Sequence, residues 1–150
     1  MAYAFKPGSY LPTSLAPEAG KQCDTLASEG KLTAHNMVEI NRPEEAPLHP
    51  VFEWDDSVAG EKWREHQARH VINAIIVVND ETPKTSPVRA YYHIERGEPQ
   101  YHRIDVILSD EEQTEKLLRQ AKNELEAFRD KYHTLERLAP VFEAIDALNI

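Results

Sequence analysis

The chain has 150 residues, 41% hydrophobic and 29% charged, with a formal net charge of −9, enough to bury one core without metal or disulfide staples. The acidic balance argues against nonspecific coating of nucleic acid, which needs a basic surface to displace counterions. A single cysteine, Cys23, excludes an internal disulfide and fits a reducing compartment, so the cytoplasm is the expected location.

The opening stretch Met1 to Pro17 carries one lysine and prolines at 7, 12 and 17, a pattern of neither a signal sequence nor a helix. Residues 1–20 are expected to form an extended N-terminal arm, ordered against a partner or neighbouring subunit, and residues 21–150 a single α+β domain. No membrane partner is expected, because the longest strongly apolar run, Ala74 to Val78, is far shorter than a bilayer span.

Two short helices come first, Lys21 to Glu29 ended by Gly30, and Ala34 to about Asn41 capped by Thr33, with Leu32 and Met37 placed as a hydrophobic staple. Pro43 stops the second. The run Pro47, Leu48, His49, Pro50, Val51, Phe52, Glu53, Trp54, Asp55, Asp56, Ser57 must then open a third helix, from Val58 to Arg69 or His70. Asp56 or Ser57 can accept from the free amides of that helix, and the neighbouring acids favour its positive end, so the acids have a structural task before a chemical one. Trp54, Ala59 and Trp63 are expected in an N-terminal core.

From Val71 to Val78 the chain is rich in β-branched residues and reads as a strand, with continuation of the helix open at its start. After a polar loop, Asn79 to Pro87, the alternation of Val88, Ala90, Tyr92 and Ile94 with Arg89, Tyr91, His93 and Glu95 gives a second strand. A turn at Gly97 leads to a third, Tyr101 to Leu108, completing a three-stranded antiparallel meander. Ser109, with Glu112 three residues on, is read as the capping box of a long helix from Asp110 to Leu135. Leu118, Ala121, Leu125, Phe128, Tyr132 and Leu135 recur along it as a heptad seam. Such a stripe can face the sheet, the short final helix Val141 to Leu148, or its own copy in another subunit.

Several residues invite chemical readings. His66 and His70 stand four apart on the third helix, and with His49 and Glu53 they form a candidate metal set for a metal-dependent enzyme. Arg64, Arg69, Arg89, Tyr91, Arg96 and Arg103 lie in the charge-neutral middle of the chain and form a candidate nucleic-acid surface, with Tyr92, Tyr101, His93 and His102 as stacking neighbours. Three helices followed by a hairpin also match the order of a winged helix-turn-helix, with Arg96, Gly97 and Glu98 as the wing, although Glu53, Asp55 and Asp56 would bring anions to phosphate. No base is designated for Cys23, Ser109 is read as a cap, and no glycine-rich phosphate loop is present, so no cofactor is expected.

The segment Pro47, Leu48, His49, Phe52, Glu53, Trp54, Asp55, Asp56, continued by Ala59, Arg64, Gln67, Ala68 and Arg69, resembles a family of small proteins encoded by tailed bacteriophages and bacterial prophages. The resemblance covers roughly residues 25 to 136. It implies a phage or prophage gene expressed in a bacterial host, and it assigns no activity or catalytic residue. The functional expectation is a non-enzymatic accessory protein that forms homo-oligomers through Leu118, Leu125, Phe128, Tyr132 and Leu135 and engages a protein partner or DNA.

Overall fold

The computed structural model describes residues 2–78 and 87–150; the loop expected at 79–86 and the side chain of Ala59 lie outside what is described. Strand β1 (Ala2–Phe5) is followed by helices α1 (Ala16–Ser28), α2 (Ala34–Ile40) and α3 (Val58–Ala74) and by strands β2 (Ile75–Val78) and β3 (Val88–Arg89). A second strand pair, β4 (Tyr91–Tyr92) and β5 (His102–Arg103), precedes α4 (Ile104–Ser109), α5 (Glu111–Tyr132) and α6 (Ala139–Asp146). The described residues fall into two compact units: Met1–His93 with Pro99–Ile104, and Ile94–Glu98 with Asp105–Ile150.

The fold is α+β with a three-stranded antiparallel sheet, as expected, but its strands differ from those read in the sequence. The order is β1-β2-β3, with Ala2 opposite Val78, Phe5 opposite Ile75 and Ile76 opposite Arg89. Extended backbone does open the chain, yet Ala2–Phe5 is a sheet strand, and Pro17 occupies the first turn of α1, where its missing N–H costs nothing. The expected second strand breaks at Ala90, whose N–H donates to Ile75 O while its carbonyl accepts from Ile104 N. Ala90 therefore ends one sheet and joins the second pair, and alternation fails there: Ala90 and Tyr91 are both fully buried. The expected third strand lasts only through Arg103. Beyond it Ile104–Ser109 is helical, burying Ile107 and leaving Val106 and Leu108 exposed.

Helix boundaries follow local chemistry. Thr33 Oγ1 accepts from Asn36 N at 3.0 Å, and Leu32 and Met37 are both buried, as a staple requires. Helix α1 ends in a Schellman turn: Gly30 adopts φ +68°, Gly30 N donates to Ala27 O and Lys31 N to Leu26 O. Helix α5 is capped by Asp110, whose carboxylate accepts from Gln113 N at 3.0 Å; Ser109 instead donates to Val106 O, so the cap sits one residue later than expected.

The core of the first unit gathers Leu32, Met37, Val38, Leu48, Phe52, Val71, Ile72 and Ile75 between the helices and the sheet. Trp54 is half-buried against it, whereas Trp63, expected inside, is 53% exposed. Helix α1 lies so close to β1 that a Cβ at Gly20 would overlap the Tyr3 ring, 2.8 Å from Tyr3 Cβ. Helix propensity alone predicts that Gly20→Ala stabilises by about 1 kcal/mol. The packing predicts the opposite, a net loss of about 1–3 kcal/mol in denaturant unfolding.

Candidate functional site

The crowded segment from Leu48 to Ser57 is held by backbone and side-chain bonds at nearly every amide. Leu48 N donates to Asn41 Oδ1, Val51 N to Leu48 O, Phe52 N to His49 O, Glu53 N to Gln67 Oε1 and Ser57 N to Asp55 O. Asn41, fully buried, anchors one end: its Nδ2 donates to Gln22 Oε1 and Met37 O, and its own carbonyl accepts from His49 Nδ1 at 3.0 Å. Ser57 caps α3, accepting from Gly60 N at 3.1 Å. Gly60 is required there because a Cβ would run into the Asp55 carbonyl.

Arg64 anchors the other end. Although only 2% exposed, it is fully engaged: Nη1 donates to the carbonyls of Glu53 at 2.7 Å and Asp55 at 3.0 Å, and Nη2 donates to Glu61 Oε2 at 2.9 Å. Its guanidinium lies 5.3 Å from the centroid of Trp54, whose indole N–H donates to His49 O and whose ring stacks on His49 at 4.6 Å. Bonds from Arg64 and Arg42 hold the Glu61 carboxyl below its usual range despite the opposing effect of burial. The carboxylates of the turn point elsewhere: Asp56 is almost wholly in solvent, 4.0 Å from Arg64, and Glu53 Oε1 accepts from Asp55 N. This arrangement braces the loop through Arg64.

The candidate metal set is dispersed. His49 is stacked on Trp54, His66 on Trp63 at 5.1 Å, and His70 on Tyr10 at 4.4 Å, with Ser9 Oγ 3.5 Å from its Nε2. Among the described residues the one grouping with ligand atoms within 4.8 Å of one another is His35, Glu61 and Glu65, which the sequence reading missed. Glu61 is already bonded to two guanidiniums there, which oppose a cation both by charge and by occupying its oxygens.

The candidate nucleic-acid residues are largely committed inside the fold. Tyr91 is buried and Arg64 nearly so; Arg89 donates to Tyr91 O and Asn73 and lies 4.9 Å from the Tyr92 ring centroid. Arg103 reaches Asp24 at 3.5 Å. Tyr101 is buried and packs its ring on His93. Arg69 and Arg96 remain exposed, in different units. The winged reading loses support as well, since a strand precedes the three helices and the 96–98 turn belongs to the second unit.

Asp24 is a further group that no sequence motif marks. It accepts from Tyr3 at 2.7 Å and Tyr91 at 2.8 Å, tying α1 to β1 and β4. Burial, with the Asp24 carboxylate adding, pushes the Tyr3 hydroxyl up to about 12, and burial raises Tyr91 as well. Both phenols stay protonated as donors, which makes the cluster a strut between elements. Its partners lie 21 and 67 residues apart in the chain, beyond the reach of any local pattern.

In the second unit the heptad residues up to Tyr132 share one helix; α5 ends there, three residues before the expected Leu135, which lies beyond it. Helix α5 buries none of its 22 residues. Leu118, Leu125 and Phe128 are 40–41% exposed and Leu135 49%, while Tyr132 packs on Phe128 at 4.9 Å.

Arg64→Met should remove two carbonyl partners and one charge partner together and cost about 2–4 kcal/mol of stability by denaturant unfolding. Because the Glu61 carboxyl is depressed in the folded state, its contribution is present above the unfolded carboxyl value near 4.3 and is lost as pH falls through the lower folded value. The acid-side loss of stability should therefore be shallower in Arg64→Met than in the parent. No protein-family model, curated protein or solved structure matches the chain, so its function is read from these side chains.

Proposed function

We propose that this protein is a non-enzymatic assembly module that self-associates through α5, as an accessory protein of a phage or prophage. The observation that carries this reading is the long amphipathic helix with no buried residue. Its 22 residues extend about 33 Å, whereas α6, with 8 residues, extends about 12 Å. Helix α6 reaches α5 through Phe142 on Phe128 and Asp146 on Arg129, too short a partner to cover the seam from Leu118 onward.

A second copy of the same helix suits that seam. Within α5, Leu118, Leu125 and Tyr132 take one core position of the heptad and Ala121 and Phe128 the other. In a parallel, in-register pair, the flanking Glu124 of each helix meets Arg129 of its mate, where it competes with Asp130 and Asp146 for the guanidinium. The helix also stands well alone: Asp110 caps it, Glu111 and Glu112 lie at its positive end, and Arg129 and Lys131 at its negative end. A preformed helix reduces the ordering cost of association. The phage or prophage origin rests on the Pro47–Asp56 motif.

Light scattering should give a mass at least twice 17.2 kDa. Leu125→Glu places like charges opposite each other in the pair and should weaken association at least about tenfold with the helical signal and unfolding transition retained. A folded monomer at high concentration would remove the proposal.

A further inference from the structure

The opposite face of α5 carries a different feature. Arg119, Gln120 and Asn123 line a cavity of about 240 Å³ with Lys116, Arg96, Ile94 and Glu95, entirely within the second unit. On the helix these four positions lie across from Leu118, Ala121 and Leu125, so the cavity and the apolar seam do not compete. Its volume is below the range of pockets that enclose a whole drug-sized ligand, and suits one compact polar group.

The charges in it are unequal in their commitments. Lys116 is neutralised by Glu95 at 2.8 Å and Glu112 at 2.9 Å. Arg96 and Arg119, by contrast, form neither an ion pair nor a hydrogen bond through their guanidiniums among the described residues. Two uncommitted guanidiniums on one cavity are unusual in a chain of net charge −9, where most other arginines of the described structure are bonded to carboxylates or carbonyls.

The cavity is also shaped before any ligand arrives. Glu98 Oε2 accepts from Ile94 N at 3.2 Å and Glu95 N at 3.4 Å, Glu98 N donates to Glu95 O, and Gly97 supplies the φ of +80° that closes the turn. Arg96 is thus held on a fixed turn facing a helix. A further sign of a ligand is Gln120, whose Oε1 is shielded from solvent with no hydrogen-bond partner. A half-turn of that amide offers N–H donors to an anion in the cavity.

We infer that this cavity binds a phosphate group, gripped by the forked donors of Arg96 and Arg119 and contacted by the amides of Gln120 and Asn123. Guanidinium forks match the oxygen spacing of a phosphate, and charge-assisted bonds of this kind are the strong ones. The inference does not depend on self-association, because it concerns the other face of α5.

The test titrates inorganic phosphate into the full chain at ionic strength held constant with sodium chloride, followed by amide NMR. Saturable shifts confined to residues 94–98 and 116–123 are expected. Arg96→Gln and Arg119→Gln should each weaken the apparent affinity at least about tenfold, the loss of one charge-assisted contact, and Arg119→Lys should recover part of it. A 5′-phosphorylated single-stranded oligonucleotide forms a second arm: displacement of phosphate from the same amides identifies a nucleic-acid phosphate as the source, and no displacement identifies a free or small-molecule phosphate. Shifts that fail to saturate, that chloride reproduces, or that Arg119→Gln leaves unchanged would overturn the proposal.

Discussion

The first unit depends on a buried guanidinium. Arg64 is placed by α3, yet its donors go to carbonyls of the preceding loop and to Glu61, while its flat face lies against Trp54. An arginine that is nearly sealed from water must satisfy its fork or destabilise the fold, and here the loop carbonyls do so. The chain cannot relax this loop without orphaning that charge. Trp54 in turn fixes His49, His49 bonds Asn41 O, and Asn41 ties α2 to Gln22 of α1. One connected set of bonds thereby joins three helices through a segment that has almost no secondary structure of its own.

That connection engages within the fold the residues that read as chemical groups in the sequence. The histidines stack on aromatic rings, the tyrosines donate to Asp24, and the arginines of the sheet region bond inward. Residues with open valence lie instead on α5 and the turn that faces it within the second unit. The first unit is closed by apolar packing around the β1-β2-β3 sheet. The second buries only Ile94, Ile107 and Ile145 among its described apolar side chains. A unit with so small an interior leaves its longest helix with a dry face and a charged face both available.

Local signals were legible where they act within one turn of the chain. Thr33, Ser57 and Gly30 mark their helix ends by residue type, and the spacing from Leu118 to Leu135 marks α5, because each depends on neighbours three to seven residues away. Strand β1 was not legible: four residues followed by prolines have no strand signal until Ile75–Val78 pairs with them from seventy or more residues away. Ile104, Val106 and Leu108 alternate as a strand would, but Ile104 and Ile107 also have helical spacing, and beyond Tyr91, the partner of Arg103, the chain turns at Ala90 to the other sheet. The burial of Arg64 leaves no mark in the sequence at all, since its partners are backbone carbonyls that every residue possesses. Of the arginine surface foreseen in the middle of the chain, Arg96 lines a cavity, and Arg119 beside it was hidden within an ordinary polar helix face.

The fold separates a brace around Arg64 from an exposed apolar seam on α5. Amide hydrogen exchange of the full chain at two widely spaced protein concentrations tests both halves together. The amides of Leu48, Val51, Phe52 and Glu53 should exchange only with the core of the first unit and at a rate independent of concentration, while those of α5 slow as concentration rises. Rapid exchange across 48–53, as in an unsupported loop, or α5 exchange that ignores concentration, would contradict it.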